Sequence, residues 1–270
     1  MMPNIIIELQ NIKNKAKDEK DIDVSIVNYL IEHIYDKTTV DLSITDLADR
    51  CFTSTSTISR FARRMGFNSF AEMKVKYEGI ALSCSEIFND NLENMHFDFA
   101  NDNAILENYV KTLNESLLDF HSNINLEEID KLCELIYKTK SVYFYGTQIT
   151  NSLLQHAQFL FSYMGKIIEL KYSDSEQQRI SLNSDKDGLA IFFSMDGNFL
   201  RESKGTVYNS ENAGTICYLI TQNPALKLAP LFDCVIQLGT YQYSKNGRYK
   251  CHLFLEILVN RYYLKYHHVQ

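Results

Sequence analysis

Short apolar runs that alternate with helix-like segments constrain the fold of this 270-residue chain more than any other feature. A strand–helix–strand order that repeats about every 25 residues is close to the minimum for a parallel crossover connection. The pattern predicts a doubly wound α/β domain, in which helices cover both faces of a parallel sheet. The apolar runs are 141–146, 166–171, 188–194, 215–221 and 233–239, and the helical patterns between them lie around 149–164, 174–182, 198–212 and 224–230.

The part of the chain that precedes these runs is predicted to be helical. Apolar residues at helical spacing predict amphipathic helices over 24–35, 104–120 and 125–138, and another over 251–266 follows the last run. Residues 83–103 contain acids and asparagines but no lysine or arginine, which is typical of a linker or of a loosely packed helix. These changes predict the boundaries 1–82 for an all-α domain, 83–103 for a linker and 104–270 for the α/β domain.

Residues 43–70 have the pattern of two short helices joined by a tight turn. Ser43 and Asp46 form a capping-box pair at the start of the first helix, and Ser54 is a cap for the second. Phe52 occupies the turn where such helix pairs often have glycine, so a positive φ at this residue would be strained. We expect the turn to tolerate that strain. The second helix has a predicted buried stripe at spacings of three and four, made of Ile58, Phe61, Ala62 and Met65.

The opposite face of this second helix has short hydroxyl side chains and guanidinium groups, which are suited to base edges and phosphates. Between Thr53 and Lys76 there are five basic residues and one acid, although the whole chain has a net charge of −7. A local basic face on an acidic chain predicts contact with DNA at one place, and a merely solvated polar face is the alternative. The predicted DNA-binding residues are Ser54, Thr55, Ser56, Thr57, Ser59, Arg60, Arg63 and Arg64.

Composition excludes several other classes of protein. No apolar run approaches the roughly 18 residues of a membrane span, and the N-terminus lacks a signal-peptide pattern, so we expect a cytoplasmic protein with no membrane partner. The six cysteines contain no CxxC pair, and no histidine pair has the spacing of metal ligands. We therefore expect reduced, mostly buried cysteines, and neither a metal nor a cofactor.

The run LADRCFTSTSTISRFARRMGFNSFAEMK resembles the RpiR-type helix-turn-helix regulators of bacterial sugar metabolism, with their Ser-x-x-Thr-x-x-Arg-Phe and Gly-Phe-x-x-Phe motifs. The α/β part resembles the flavodoxin-like SIS (sugar isomerase) domain of these regulators, and the similarity of arrangement extends from about 24 to 266. The resemblance implies a homodimeric or homotetrameric transcriptional regulator whose SIS domain binds a phosphosugar and alters operator binding. Two-fold symmetry then predicts a pseudo-palindromic operator on double-stranded DNA.

The resemblance also implies an effector site in the loops after the first and third strands. The family's Gly-x-Gly-x-Ser loop is here Gly146-Thr147-Gln148-Ile149-Thr150, which keeps the first glycine and a hydroxyl. Its Ser-x-Ser-Gly-x-Thr loop is here Ser194-Met195-Asp196-Gly197-Asn198-Phe199. The implied effector-binding residues are Gly146, Thr147, Thr150, Ser194, Asp196, Gly197 and Asn198.

Asp196 changes the chemistry of the second loop. A carboxylate about 4 Å from a phosphate costs roughly 4 kcal/mol at an effective dielectric constant near 20. A retained hydroxyl bond returns only about 1 kcal/mol. We therefore expect Asp196 to suit a neutral sugar hydroxyl or an amine better than a phosphate.

Two alternatives to a sugar-sensing regulator remain open. The SIS domain could serve only as an oligomerisation platform. The chain could instead be a SIS-type sugar-phosphate isomerase or sugar-binding enzyme, with Glu176 and Asp196 as the acids nearest to the strand ends. Because the N-terminal helices have no role in an enzyme of that type, a non-enzymatic regulator is the leading prediction.

Overall fold

The computed structural model describes residues 5–16, 18, 21–34, 42–80, 102–241 and 246–267. The chain divides into two compact units, Met1–Phe99 and Ala100–Gln270. The predicted linker lies outside the described residues as far as 101, and a helix already begins at Asp102. The boundaries of the linker therefore stay a prediction. In the described part of the chain, no helix is both long and apolar enough to cross a membrane.

The first unit is built of helices. Their bounds are α1 Ile5–Lys15, α2 Ile22–Glu32, α3 Ile44–Arg50, α4 Thr55–Arg64 and α5 70–80. The sequence patterns did not predict α1, although its Ile5 and Leu9 are buried in the core of this unit. Helix α2 confirms the amphipathic helix predicted for 24–35. It buries Val27 and Leu30 in the same core.

The buried stripe of α4 is confirmed, because each of its four residues is at most 1% exposed. The stripe packs against α2, α3 and α5 in one cluster that also contains Met73 and Tyr77. The Tyr77 hydroxyl donates a hydrogen bond of 2.6 Å to the Leu30 carbonyl oxygen and so ties α5 to α2. Burial of these side chains fixes the rotation of α4 about its axis, and its polar face is left outward.

The second unit is the predicted doubly wound α/β domain. All neighbouring strands are parallel, and their order is β2-β1-β3-β4-β5. The strands are β1 Val142–Gly146, β2 Ile168–Leu170, β3 Leu189–Phe193, β4 Ile216–Thr221 and β5 Cys234–Gln237. The helices are α6 Asp102–Asn123, α7 Leu126–Lys138, α8 Gln148–Tyr163, α9 Asp174–Ser181, α10 Asn198–Glu202, α11 Lys204–Asn212 and α12 Gly247–Tyr266.

Side chains cover both faces of this sheet. Helices α7, α8 and α12 pack in one cluster against residues such as Phe144 and Ile191. Helices α10 and α11 pack in a second cluster against Tyr145 and Phe192. Strands β1 and β3 are buried at every position, which is why they read as continuous apolar runs rather than as alternating ones.

Two predicted helices differ in the structure. The helix predicted for 198–212 is interrupted at Ser203, whose φ of −115° and ψ of 38° separate α10 from α11. The segment predicted as a helix over 224–230 is irregular apart from a 3₁₀ turn at Ala229–Leu231. Pro224 and Pro230 lack the backbone N–H that a continuous helix needs.

Among the described residues, three ion pairs join α12 to the neighbouring helices: one to Asp119 and two, from Arg261 and Lys265, to Asp130. Lys250 is fully buried, and its Nζ lies 2.6 Å from Oδ2 of Asp119 on α6. Burial raises the pKa of Asp119, but the hydrogen bonds from Lys250 and from the Thr240 N–H outweigh it, so the pKa is lowered. Arg261 donates two hydrogen bonds, of 2.6 and 2.7 Å, to Asp130 on α7 and lowers the pKa of that carboxyl to about 2.

Four of the five described cysteines are buried. No disulfide is formed among these five, which are all free thiols. Burial raises the pKa of Cys51 to about 11 and that of Cys251 to about 12. The expectation of mostly buried thiols is therefore confirmed for the described residues, whereas Cys84 lies outside them.

Candidate DNA-binding helix and effector crevice

Helix α3 begins with the predicted capping box. The Ser43 Oγ accepts a hydrogen bond of 3.1 Å from the Asp46 N–H, and the Asp46 carboxylate accepts one of 3.1 Å from the Ser43 N–H. The hydrogen bonds from Ser43 lower the pKa of Asp46. Two backbone donors at the helix start are thereby satisfied, which fixes where α3 begins.

The turn after α3 has the hydrogen bonds of a Schellman motif. The Phe52 N–H donates to the Asp49 carbonyl at 3.1 Å, and the Thr53 N–H donates to the Ala48 carbonyl at 2.8 Å. Phe52 takes a φ of 51°, the left-handed value that glycine adopts most easily at this position of the motif. The expected positive φ is confirmed. The ring of Phe52 is 96% exposed, so packing in this chain does not offset the strain.

Helix α4 begins at the predicted cap, Ser54, and is followed by a glycine, Gly66, just beyond its last turn. The Thr57 N–H donates to the Ser54 Oγ at 3.2 Å. At the other end, the Phe67 N–H donates to the Ala62 carbonyl at 3.0 Å, and Gly66 takes a φ of 86°. Because both ends are capped, the first and last residues of α4 are fixed, and so is the extent of its outward face.

The predicted DNA-binding residues differ in how far they are available to a partner. Thr55, Ser56, Arg60 and Arg63 are exposed, and Thr57 is half-buried. Arg60 donates a weak hydrogen bond of 3.3 Å to the Thr57 Oγ1, and within the described residues the Arg63 side chain forms neither a hydrogen bond nor an ion pair. These side chains can therefore reach phosphates or base edges without first breaking an ion pair.

Arg64 has a different environment from Arg60 and Arg63. Its guanidinium forms an ion pair with Asp23 on α2. That contact ties the last turn of α4 to the wall of the core and neutralises one positive charge. DNA contact by Arg64 stays a prediction, and it would require this ion pair to be broken or shared.

The loops after β1 and β3 meet at the switch point of the sheet. The chain leaves β1 toward β2 on one side, and it leaves β3 toward β4 on the other. Gly146, the last residue of β1, is paired in register with Phe193, the last residue of β3. Crevices of this kind, at the carboxyl ends of parallel strands, are where doubly wound domains bind ligands. The predicted residues Gly146, Thr147, Ser194 and Asp196 all follow or end these two strands.

The β3 loop is held by residues that follow β4. The Gln222 amide donates a hydrogen bond of 2.9 Å to the Asp196 carboxylate, and the Asn223 amide donates one of 3.1 Å to the Asp196 backbone carbonyl. Burial raises the pKa of Asp196 and outweighs the opposing effect of the Gln222 bond. Gly197 takes a φ of 87°, and Leu226 lies directly against it, so that a Cβ there would be 2.4 Å from Leu226 Cδ2.

The β1 loop is held in a similar way by α9. The Gln177 side chain is fully buried, accepts from the Gly146 N–H at 3.2 Å and donates to the Gly146 carbonyl at 2.9 Å. Thr147 and Thr150 lie with their hydroxyl oxygens 3.2 Å apart. Asn151 is 1% exposed, and its Oδ1 has no hydrogen-bond partner in the part of the chain that the structure describes.

The remaining predicted residues are placed less directly. The Ser194 Oγ is buried and accepts a long hydrogen bond of 3.5 Å from the Leu200 N–H. Asn198 accepts a hydrogen bond of 2.9 Å from Arg201. Phe199, which stands where the family has threonine, is 1% exposed within the core cluster of α10 and α11, so its ring packs inside the domain.

Sequence reasoning missed four polar residues of this crevice. Gln222 and Asn223 directly follow β4, so their position after a strand was a usable signal. Gln177 lies on α9 and Asn151 on α8, and neither stands in a recognisable motif. Only the three-dimensional structure brings Gln177 to the end of β1, whereas Asn151 lies in the first turn of the helix that directly follows this strand.

The chain therefore contains a helix-turn-helix in its first unit and a doubly wound α/β domain in its second. Residues 6–81 match the model of the helix-turn-helix domain of the rpiR family. The predicted resemblance of this segment to RpiR-type helix-turn-helix domains is thereby confirmed. Over 232 residues, 83% of this chain and 79% of the relative, the sequence is 27% identical to an uncharacterised HTH-type transcriptional regulator of Clostridium perfringens. A second such regulator, from Caldanaerobacter subterraneus, is 25% identical over 77% of this chain and 73% of its own length.

Solved structures share the fold. The NanR protein of Vibrio vulnificus in complex with ManNAc-6P aligns with 97% of this chain and 92% of its own, at a TM-score of 0.51 and 15% identity. A candidate sugar-phosphate isomerase of Listeria monocytogenes aligns with 63% of this chain and 94% of its own, at a TM-score of 0.52 and 14% identity. At these identities the likeness supports the fold alone.

Proposed function

We propose that this chain is a transcriptional regulator of carbohydrate metabolism that binds operator DNA through α4 and responds to a sugar or a sugar-phosphate-like metabolite. The observation that carries the DNA-binding part is the outward face of α4. This helix is capped at both ends and anchored by a fully buried stripe, and it presents Arg60 and Arg63, which form no ion pair with any residue that the structure describes. Such a helix can enter the major groove while its hydroxyls and guanidiniums contact phosphates and bases.

The sensory part of the proposal is supported by the crevice between β1 and β3. It lies at the position where doubly wound domains bind ligands, and polar side chains from four different segments converge there. A protein with the same fold, the NanR protein of Vibrio vulnificus, has been solved with ManNAc-6P. We therefore place the effector of this chain among sugars and sugar phosphates.

The isomerase alternative has weaker support. Glu176 lies in the first turn of α9, where its N–H donates a hydrogen bond of 3.3 Å to the Ser173 Oγ and its carboxylate accepts one of 2.8 Å from the Ser173 hydroxyl. Asp196 is held by Gln222. Both relatives matched over most of the chain are described as transcriptional regulators. We propose that the chain has no catalytic activity, and a turnover assay over aldose and ketose phosphates tests this.

We further propose that the protein is a homodimer or a homotetramer that binds a pseudo-palindromic operator. Two-fold symmetry would place two copies of α4 in successive major grooves, with half-sites about one helical turn, or a multiple of it, apart. Light scattering coupled to size exclusion measures the oligomeric state. A strictly monomeric protein would contradict this part of the proposal.

Gel-shift titrations of the operator test the DNA-binding part. Arg60→Ala and Arg63→Ala are each expected to weaken binding, by about 1–3 kcal/mol for a base contact and by less for a phosphate contact. Arg201→Ala is the matched control, because Arg201 is an exposed arginine on α10 of the other unit. Unchanged affinity in both α4 variants would contradict the placement of this helix in the groove.

A further inference from the structure

We propose that the crevice between β1 and β3 selects an unphosphorylated ligand rich in hydrogen-bond donors, either a neutral polyol sugar or an amino sugar, and that Asn151 and Asp196 are the acceptors that select it. This inference rests on the proposed sensory function, and it narrows the class of effector. Three features of the crevice support it.

The first feature is the unpartnered oxygen of Asn151. The Asn151 amide nitrogen donates to the carbonyl oxygens of Lys171 and Tyr172, at 3.5 and 3.2 Å. Because these two carbonyls require the NH₂ group on their side, the orientation of the amide is fixed and Oδ1 is turned away from them. Oδ1 lies 3.5 Å from the point where a Cβ of Gly146 would be, at the carboxyl end of β1. A buried acceptor without a donor is unfavourable, so a ligand that donates a hydrogen bond to Asn151 Oδ1 would remove this cost.

The second feature is the environment of Asp196 at the end of the neighbouring strand. Its carboxylate accepts one hydrogen bond, from Gln222, and that bond holds the side chain in place. The nearest arginine along the chain, Arg201, donates to Asn198 and lies 3.7 Å from Glu202 rather than pairing with Asp196. A carboxylate with capacity to accept further hydrogen bonds attracts hydroxyl and ammonium groups and repels an anion.

The third feature is the way in which the β3 loop is filled. Leu226 closes the space beside Gly197, and the Ser194 hydroxyl already interacts with the Leu200 N–H inside the loop. A phosphate held by this loop would have to approach the Asp196 carboxylate beside the space that Leu226 fills. A sugar hydroxyl or an amine can donate a hydrogen bond to that carboxylate instead of being repelled by it.

A thermal-shift and calorimetric panel on the full chain tests the ligand class. Each pair contains an unphosphorylated sugar and its 6-phosphate: glucosamine, N-acetylglucosamine, N-acetylmannosamine, glucose and fructose. We expect at least one unphosphorylated member to raise the midpoint and to bind at least tenfold more tightly than its 6-phosphate. Preference for the phosphorylated member overturns the proposal, and so does the absence of any shift across the panel.

Variants separate the two acceptors. Asp196→Ser restores the hydroxyl of the family loop, and we expect it to reverse the preference toward the 6-phosphate. Asp196→Asn keeps the shape and should weaken binding of the amino sugar about tenfold or more, because a charge-assisted hydrogen bond is lost. Asn151→Leu should lower the affinity for every unphosphorylated ligand. If a bound water rather than a ligand donor satisfies Asn151, this variant will bind as the wild type does, and the role of Asn151 is refuted.

Asp187→Asn is the matched control, since Asp187 is an exposed acid before β3, at the opposite end of the strand from Asp196. It removes the same charge and should leave the ligand preference unchanged. Operator gel shifts on the same variants are independent of the panel. If operator binding is intact while the phosphorylated ligands are preferred, the ligand class is wrong and the regulatory function stands. If the wild type does not bind operator DNA, the proposed regulatory function itself is refuted.

Discussion

Replacement of Phe52 by glycine should stabilise the helix pair, although Phe52 is a large aromatic residue. The left-handed conformation costs an L-residue about 1–2 kcal/mol, and Phe52 adopts it at a φ of 51°. Glycine removes this cost but adds about 0.4–1 kcal/mol of backbone entropy to the unfolded chain. Because the ring is 96% exposed, little packing is lost, and the net gain should be about 0.5–1 kcal/mol.

Phe52→Ala is the control for this prediction. Alanine keeps the unfavourable φ and removes the ring, so the glycine and alanine variants differ by the backbone strain less the unfolded-chain entropy that glycine adds. Hydrogen exchange of the α3–α4 amides, in particular the Thr53 N–H bonded to Ala48, reports opening of the turn. Slower exchange in the glycine variant than in the alanine variant is expected. Equal exchange in the two would refute the reasoning that the turn stores strain.

Two further predictions concern the ion pairs of α12. Asp130→Asn should lower the free energy of unfolding by about 1 kcal/mol at pH 7, because this pair is partly exposed. The carboxyl has a folded pKa of about 2, below its ordinary value of 3.8, so its contribution is present at neutral pH and is lost as the pH falls from about 4 to 2. Urea midpoints of the two proteins should therefore converge at acid pH, and a constant difference would contradict this. Lys250→Met should cost about 3–5 kcal/mol, because it leaves Asp119 with a nearly buried charge. The double variant Asp119→Asn/Lys250→Met should recover part of that loss, and strict additivity in urea unfolding would refute the coupling.

The fold could be predicted from local patterns where burial determines sequence. Strands such as Leu189–Phe193 are buried on both faces and read as continuous apolar runs. The apolar residues of the α4 stripe recur at helical spacing because one side of this helix is in the core. The prediction of a continuous helix over 198–212 was wrong. The break at Ser203 depends on its backbone angles, and a serine at that position does not indicate a break in the sequence. Helix α1 was missed, although it contributes Ile5 and Leu9 to the core.

The two candidate sites were predictable to different degrees. The outward face of α4 could be predicted from sequence, since caps, stripe and basic residues all lie within one short segment. The ion pair of Arg64 with Asp23 could not, because it joins residues 41 positions apart. In the crevice, Asp196 was visible as a departure from a loop pattern. Gln177 was not visible, because only the crossover through β2 brings α9 to the end of β1. Asn151 directly follows the β1 loop, but its unpartnered oxygen is seen only in the structure.

The salt dependence of operator affinity tests the DNA-binding role of α4 most directly. Fluorescence anisotropy of a labelled operator, measured across salt concentrations for the wild type, Arg60→Ala and Arg63→Ala, gives both the affinity and its slope. Binding that falls steeply with salt is expected, and the slope should become shallower by about one unit for each arginine that contacts a phosphate. An arginine that reads a base should instead lose discrimination against mutated half-sites. Identical affinity, slope and specificity in all three proteins would contradict recognition of DNA by this helix.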